Sequence, residues 1–462
     1  MDRYLTRWLD FPDLRRIDVY EAHGGYGALR KALFEMTPEQ IINEVKNSNL
    51  RGRGGAAFPT GVKWSFIPKD SKKPVYVCCN ADESEPGTFA NRYELEHDPH
   101  AIIEGILIAC RAVGSHTCFV YIRGEFFTQK RILETALDEA RARGYVGPDV
   151  MGSGFGVEIT VHRGAGAYIC GEETGLLESL EGKRAYPRNR PPFPAISGAF
   201  GCPTVVNNVE TLSNVPPIIA RGAEWYKTMG PATSPGNKLF CLSGHINKPG
   251  LYELPMGFPL KDLIYEVGGG ILDGRALKGV IPGGSSFPVF TAEEAMKVNM
   301  DFDSVRAAGS LMGTAGVMVM HEGTCMVDML RIIAHFYHHE SCGQCTPCRE
   351  GTGWIEKLLI ELEAGRGRME DLQTLLSVAT NMEGNTICVL ADSLSMPVKS
   401  FIPKFRAEFE DHVRLGRCPF KENGAILHSS GGGDGIAQAS SAAAPENPAN
   451  TRATEADAKA DN

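Results

Sequence analysis

The sequence has no long apolar run, no excess of basic charge and no complete nucleotide-binding fingerprint, and each shortage removes a class of protein. A membrane-spanning helix needs roughly 18 or more consecutive apolar residues. The best stretch, Ala101 to Cys110, is short and carries Glu104, so no direct membrane insertion is expected. The first ten residues break their apolar positions with charges, no signal peptide is read, and the expected location is cytoplasmic. A net charge of -9 lacks the basic footprint that displaces phosphate counterions, which argues against nucleic acid as a partner. The 13 cysteines are odd in number and three crowd between 342 and 348, unlike a secreted disulfide framework. A reducing compartment and a metal site fit that distribution.

What remains is a globular composition: 462 residues, 43% apolar and 22% charged, with 52 glycines. The length suggests about three units. Thr37-Pro-Glu-Gln40 reads as a helix start within a charged helical segment, with a capping hydroxyl, a proline in the first turn and an acceptor three residues on. Pro74–Cys79, Thr117–Ile122 and Gly156–His162 read as strands, separated by helical patterns beginning at Asp98 and at Thr128. That alternation predicts a parallel sheet covered on both faces, with ligands at the carboxyl ends of its strands. Residues 232–325 predict a small α+β module, 326–420 a helical domain, and the Ser/Gly/Ala-rich segment 421–462 a disordered tail.

Arg51-Gly-Arg-Gly-Gly-Ala-Ala-Phe-Pro-Thr-Gly-Val-Lys-Trp64 places four glycines, two arginines, one lysine and two aromatics in fourteen positions. Glycine lets the main chain approach a phosphate, and a neighbouring Lys or Arg supplies the countercharge. A glycine-rich turn between packed elements explains the same residues, so other segments must decide. Asn80-Ala-Asp-Glu-Ser-Glu-Pro-Gly87 sets Asp82, Glu83 and Glu85 after a strand, where carboxylates suit ribityl or ribose hydroxyls, although a solvated acidic loop reads the same way. Arg163-Gly-Ala-Gly-Ala-Tyr-Ile-Cys-Gly-Glu-Glu-Thr174 follows a strand but lacks the third glycine of the Rossmann fingerprint. Gly152-Ser-Gly-Phe-Gly156 precedes its strand and reads as a loop. Lys183–Pro194 is a basic, proline-stiffened loop, and Val205-Val-Asn-Asn-Val-Glu-Thr211 adds two amides and a hydroxyl.

The most specific signal is Ser341-Cys-Gly-Gln-Cys-Thr-Pro-Cys-Arg-Glu350. Its C-x2-C-x2-C spacing suits three irons of a cubane. A fourth thiolate is needed, and Cys388, inside the helical module, is preferred to Cys418 near the tail. Structural zinc more often uses two separated cysteine pairs. His338 and His339 lie nearby and read as neighbours of the cluster rather than ligands.

In this order the motifs resemble the flavoprotein subunits that admit NADH to respiratory NADH:quinone oxidoreductase (complex I), over roughly residues 20 to 420. The resemblance implies an α/β Rossmann-like flavin domain over 1–231, a ubiquitin-like α+β (SLBB-type) domain over 232–325 and a helical 4Fe-4S domain over 326–420. It implies noncovalent FMN held by Gly52, Gly54, Lys63, Asn80, Asp82, Tyr168, Gly171, Glu172, Asn207, Asn208 and Thr211. NAD(H) as substrate would meet Phe58, Phe66, Glu85, Glu173, Arg190 and Phe193, and the cluster would take Cys342, Cys345, Cys348 and Cys388. The chemistry is then borne by cofactors, with no side chain acting as acid or base. Implied partners are a thioredoxin-like 2Fe-2S subunit and a large multi-cluster iron-sulfur subunit, on the cytoplasmic side of the inner membrane. The same motifs occur in diaphorase subunits of NAD-linked hydrogenases and formate dehydrogenases, and a noncatalytic zinc-stabilised interaction module is the reading from another class. Ala57, Gly175, Ala90-Asn91 and Arg190 depart from the family pattern, and the Ala57 methyl is expected to crowd the phosphate loop.

Overall fold

The computed structural model describes residues 3–421; most of the segment expected to be a disordered tail, 422–462, lies outside the described residues. The first sheet has four parallel strands, β1 (Tyr76–Ala81), β2 (Thr117–Ile122), β3 (Glu158–Arg163) and β4 (Thr204–Asn208), in the order β3-β2-β1-β4. The chain runs outward from β1 to β3 and then returns to pair β4 with the other side of β1. The loops leaving β1 and β4 therefore diverge from one edge, the place where open parallel sheets bind ligands. Pairing of Asn80 with both Tyr121 and Asn208 brings the carboxyl ends of three strands level.

Helices cover this sheet because their sequences cap and pattern correctly. The Thr37 hydroxyl accepts the Gln40 N–H at 3.3 Å and the Gln40 amide accepts the Thr37 N–H at 2.8 Å, closing a capping box on the Pro38–Asn47 helix. In the Pro99–Val113 helix, Asp98 accepts the Ala101 N–H, and Gly114, at φ +70°, ends the helix in the left-handed region. Ile102, Ile103, Ile106 and Leu107 are buried there, each worth about 1.5–3 kcal/mol of burial. A Cβ at Gly105 would come within 2.2 Å of the Leu212 carbonyl oxygen, so glycine is what lets this helix touch the Val209–Ser213 helix.

A second, mixed sheet is built from β5 (Asn237–Gly244), β6 (Gly250–Pro255), β8 (Leu277–Ile281), β9 (Phe290–Thr291) and β11 (Gly316–His321), in the order β6-β5-β11-β8-β9. The first and last of these strands, β5 and β11, lie parallel at its centre and the other pairings are antiparallel. Two short strands, β7 (Phe258–Pro259) and β10 (Asn299–Met300), pair beside it. The last part is helical: Met326–Glu340, Thr346–Glu363, Met369–Met382, Leu390–Lys404 and Arg406–Leu415 share one apolar core. Among the described residues, no helix is long and apolar enough to cross a membrane.

Candidate functional site

The glycine stretch is a closed loop. Gly52 N–H donates to the Phe58 carbonyl at 2.9 Å and Thr60 N–H to Leu50 at 2.8 Å, which leaves residues 53–57 as its tip. The Thr211 hydroxyl accepts the Arg53 N–H at 2.8 Å and so fixes the tip to the end of β4. A Cβ on Gly54 would sit 2.8 Å from Cβ of Asn208, so only glycine fits between the loop and the asparagine pair.

The two arginines of this stretch do not supply a countercharge. Arg53 is buried and donates to Tyr226 Oη at 2.9 Å and the Pro235 carbonyl at 2.8 Å. Arg51 reaches Asp303 at 3.0 Å and lies over the Phe302 ring. Both serve the junction with the second sheet, and Lys63 is the cation left to the site. Its Nζ donates to Glu173 Oε2 and to the Val206 carbonyl, each at 2.8 Å. Burial works against the Glu173 charge, but Lys63 and Arg190 outweigh it and hold this carboxyl below its ordinary range. Ala57 takes φ +55°, and its methyl lies in the apolar cluster of the second sheet with Phe240 and Val317. The expected crowding thus falls on the junction between the two sheets rather than on the glycine loop.

The three carboxylates after β1 separate into three roles. Glu83 accepts the backbone N–H groups of Ala90, Asn91 and Arg92 and so anchors the start of the Asn91–His97 helix. Glu85 accepts Ser286 N–H at 2.8 Å, Ser286 Oγ at 2.7 Å and Tyr168 Oη at 2.7 Å, which joins the acidic loop to the second sheet's 283–288 loop. Asp82 is different, since its Oδ1 is buried with no partner. Burial pushes its carboxyl up to about 7, opposed by the Ser84 hydroxyl and by Arg123. A buried carboxyl oxygen without a donor carries a desolvation cost that a ligand hydroxyl would relieve. A Cβ on Gly171 would stand 3.5 Å from the Asp82 carbonyl, so the β1 end and the 168–172 turn face each other closely.

Most of the remaining predicted residues are tied to these elements by hydrogen bonds. Asn80 donates to the Gly171 carbonyl at 2.9 Å, Asn207 accepts Trp64 Nε1–H at 2.8 Å, and Asn208 donates to Asn91 Oδ1 at 2.7 Å while capping the Val209–Ser213 helix. Glu172 caps the Glu173–Leu180 helix by accepting the Thr174 and Gly175 N–H groups, and its other oxygen pairs with Arg190. Arg190 also lies 3.3 Å from Glu173. Phe58, Phe66 and Phe193 are 46%, 52% and 56% exposed, unusual for large rings, with Phe58 and Phe66 centroids 6.0 Å apart. Flat apolar faces beside paired carboxylates and a lysine suit an aromatic, phosphorylated ligand.

The 168–172 turn is shared with a second site. Ile169 is buried in the core of the helical domain, and Tyr168 N–H donates to Glu340 Oε2 at 3.0 Å. From Glu340 the chain turns at Ser341 and Gly343, the latter at φ +79°, to Cys345, which precedes the Thr346–Glu363 helix. Pro347 and Cys348 lie in that helix's first turn, where the positive end of the helix favours thiolate. Cys345 Sγ accepts the Ile387 N–H at 3.4 Å, which brings the loop carrying Cys388 against it. All four cysteines are free, belong to one packed cluster, and Cys388 feels the charges of Cys342, Cys348 and Glu172. Burial pushes the Cys348 thiol up to about 11 and Cys388 up to about 12, so bound iron would displace protons.

A single zinc would hold thiolates about 3.8 Å apart. Among the described residues the only group of three potential ligand atoms within 4.8 Å of one another lies elsewhere. Four free cysteines, three of them in C-x2-C-x2-C spacing, suit a multi-iron cluster. His335 and His338 both pair with Glu356, and the largely exposed His339 lies 3.5 Å from Glu340.

Sequence reasoning missed Glu340, Ser285, Ser286 and the anchoring role of Glu83. Glu340, Ser285 and Ser286 carry no local motif and their partners lie up to 201 residues away, whereas Glu83 sits in the acidic motif and its backbone partners lie 7 to 9 residues on.

Residues 45–217 match the family described as the Nuo51 FMN-binding domain, 238–319 the SLBB domain, and 328–412 the NADH-ubiquinone oxidoreductase-F iron-sulfur binding region. The chain is 56% identical over 416 residues to the second NADH-quinone oxidoreductase F subunit of Rhizobium meliloti, covering 90% of this chain and 99% of that protein. It is 50% identical to the corresponding F subunit of Streptomyces coelicolor, covering 90% and 92%. A solved chain of an NAD+-reducing NiFe hydrogenase in its air-oxidised state superposes with a TM-score of 0.77 at 36% identity, covering 89% of this chain and 67% of that one.

Proposed function

Because the chain belongs to the family of NADH-quinone oxidoreductase F subunits, we propose that it is the NADH dehydrogenase flavoprotein subunit of such a complex. Bound FMN would take a hydride from NADH, and a bound 4Fe-4S cluster would carry the electrons away singly. The domains are read as a Rossmann-like flavin domain over 1–231, a ubiquitin-like SLBB domain over 232–325 and an iron-sulfur domain over 326–420.

The protein's own contribution is to bind and orient. Gly52 and Gly54 allow close approach to the FMN phosphate, and Lys63 supplies its countercharge. The unpartnered Asp82 oxygen would accept a flavin hydroxyl. Asn80, Asn207, Asn208 and Thr211 hold the loops that shape the cradle, and Tyr168, Gly171 and Glu172 close it. Phe58, Phe66 and Phe193 would stack on NADH, with Glu85, Glu173 and Arg190 setting its polar contacts. Cys342, Cys345, Cys348 and Cys388 would hold the cluster.

The observation that carries this reading is the 168–172 turn, which faces Asp82 on one side and packs into the cysteine-bearing core on the other. A subunit with one cluster must pass electrons on. The partners are therefore proposed to be a thioredoxin-like 2Fe-2S subunit and a large multi-cluster iron-sulfur subunit, the whole sitting peripherally on the cytoplasmic side of the inner membrane. The hydrogenase likeness favours the diaphorase alternative only in fold, since identity is higher to the F subunits. Purification with bound partners tests the choice. Recovery of FMN, iron and NADH–ferricyanide activity with quinone-complex subunits supports the reading, and recovery with hydrogenase subunits overturns it.

A further inference from the structure

Away from the four-cysteine loop, the helical domain brings together three groups that the NADH–flavin chemistry does not use. Cys325 precedes the Met326–Glu340 helix, and its Sγ accepts the Asp328 N–H at 3.4 Å. His412 lies in the Arg406–Leu415 helix and Cys418 just beyond it, 87 and 93 residues from Cys325. The Cys325 sulfur is 3.3 Å from His412 Nε2 and 3.7 Å from the Cys418 sulfur, and all three ligand atoms lie within 4.8 Å of one another. His412 is fully buried and Cys418 nearly so, while Cys325 is half-buried.

We propose that Cys325, His412 and Cys418 bind a zinc ion, as a site separate from the iron-sulfur cysteines. Tetrahedral zinc, with bonds of about 2.3 Å to sulfur and about 2.0–2.1 Å to nitrogen, sets sulfurs about 3.8 Å apart and sulfur to nitrogen about 3.6 Å apart. The 3.7 Å sulfur–sulfur edge lies close to the first value, and the 3.3 Å sulfur–nitrogen edge is about 0.3 Å shorter than the second. The imidazole is also oriented for it: His412 Nδ1 lies 2.7 Å from the Glu408 carbonyl oxygen, which can only accept. Nδ1 therefore carries a hydrogen and Nε2 faces the Cys325 sulfur, the arrangement found behind metal-binding histidines.

Cys325 sits at the start of the Met326–Glu340 helix, where its sulfur accepts a backbone N–H of the first turn. Neighbouring carboxylates are engaged elsewhere: Glu363 with Lys421 at 2.8 Å, Asp328 with Arg331 at 2.7 Å, and Glu408 with Lys278. They do not compete for the ion. Two thiolates and one imidazole select zinc over hard cations. The ion would tie the start of the helix leading to the cluster loop to the end of the last helix of the domain.

Metal analysis of the complete chain, separated from its partners under reducing conditions, is the test. About one zinc per chain is expected beside about four irons. Cys418→Ser and His412→Asn should each lower zinc at least tenfold with iron and FMN unchanged, and Cys418→His should retain it. Zinc absent from the wild-type protein, or unchanged in both loss variants, overturns the proposal. So does a Cys325–Cys418 disulfide found by peptide mass spectrometry in the reduced preparation. Should the loss variants fail to fold, cobalt substitution of the wild-type protein decides. A thiolate-to-cobalt charge-transfer band with tetrahedral d–d bands supports the site, and their absence contradicts it.

Discussion

The backbone N–H of Tyr168 donates to Glu340 Oε2 at 3.0 Å, tying the turn that faces Asp82 to the residue two places before Cys342. The bond is partly buried and charge-assisted, a class worth about 1.5–3 kcal/mol. Glu340→Ala should leave FMN and iron contents unchanged but loosen the spacing between the two sites. Rapid-mixing kinetics with NADH should then show flavin reduction at the wild-type rate and slower reduction of the cluster. An unchanged second phase would mean that the link does not set that spacing.

Lys63→Ala removes the cation of the cradle and leaves Glu173 with Arg190 as its remaining partner. FMN affinity should fall by roughly 10- to 100-fold, about 1.4–2.8 kcal/mol, with iron content intact. Lys63→Arg should restore part of the loss, as measured by fluorescence of released flavin.

Asp82 supplies a pH dependence of fixed sign. Its carboxyl is raised to about 7 from an ordinary 3.8, so the flavin-free folded protein holds one more proton than the unfolded chain between those values. This group therefore lowers stability as pH rises through that window and then levels off, a loss of about 4 kcal/mol in all. Deflavinated Asp82→Asn should lose less stability than wild type between pH 5 and 8 in urea unfolding. With FMN bound and donating to Asp82, the difference between the two proteins should shrink.

Cys388→Ser should lower bound iron and remove the cluster's electron paramagnetic resonance signal while FMN stays bound. Phe193→Ala, at an exposed ring beside the opening, should raise KM for NADH several-fold with little change in FMN affinity, since base–aromatic stacking is worth about 1–3 kcal/mol. The two variants together separate cluster, cofactor and substrate sites.

Much of the fold could be read from local patterns. The Thr37 capping box, the Asp98 cap and the strand of Tyr76–Ala81 follow from residues close in sequence. The return of β4 to the far side of β1 could not, because no local pattern encodes which strands pair. The site divides similarly. Cys342, Cys345 and Cys348 announce themselves by spacing, whereas nothing in the sequence around Glu85 points to the serines 200 and 201 residues away that hold it. Arg53 has the composition of a phosphate ligand, yet its guanidinium turns inward to Tyr226 and Pro235, a destination set by tertiary packing alone.

Anaerobic titration of the purified, partner-bound protein with NADH tests the central claim most directly. The expected result is bleaching of the bound flavin's visible absorption at substoichiometric NADH, accompanied by a reduced 4Fe-4S signal that is absent in Cys388→Ser. Flavin that stays oxidised in excess NADH, or a protein that carries neither flavin nor iron, would contradict it.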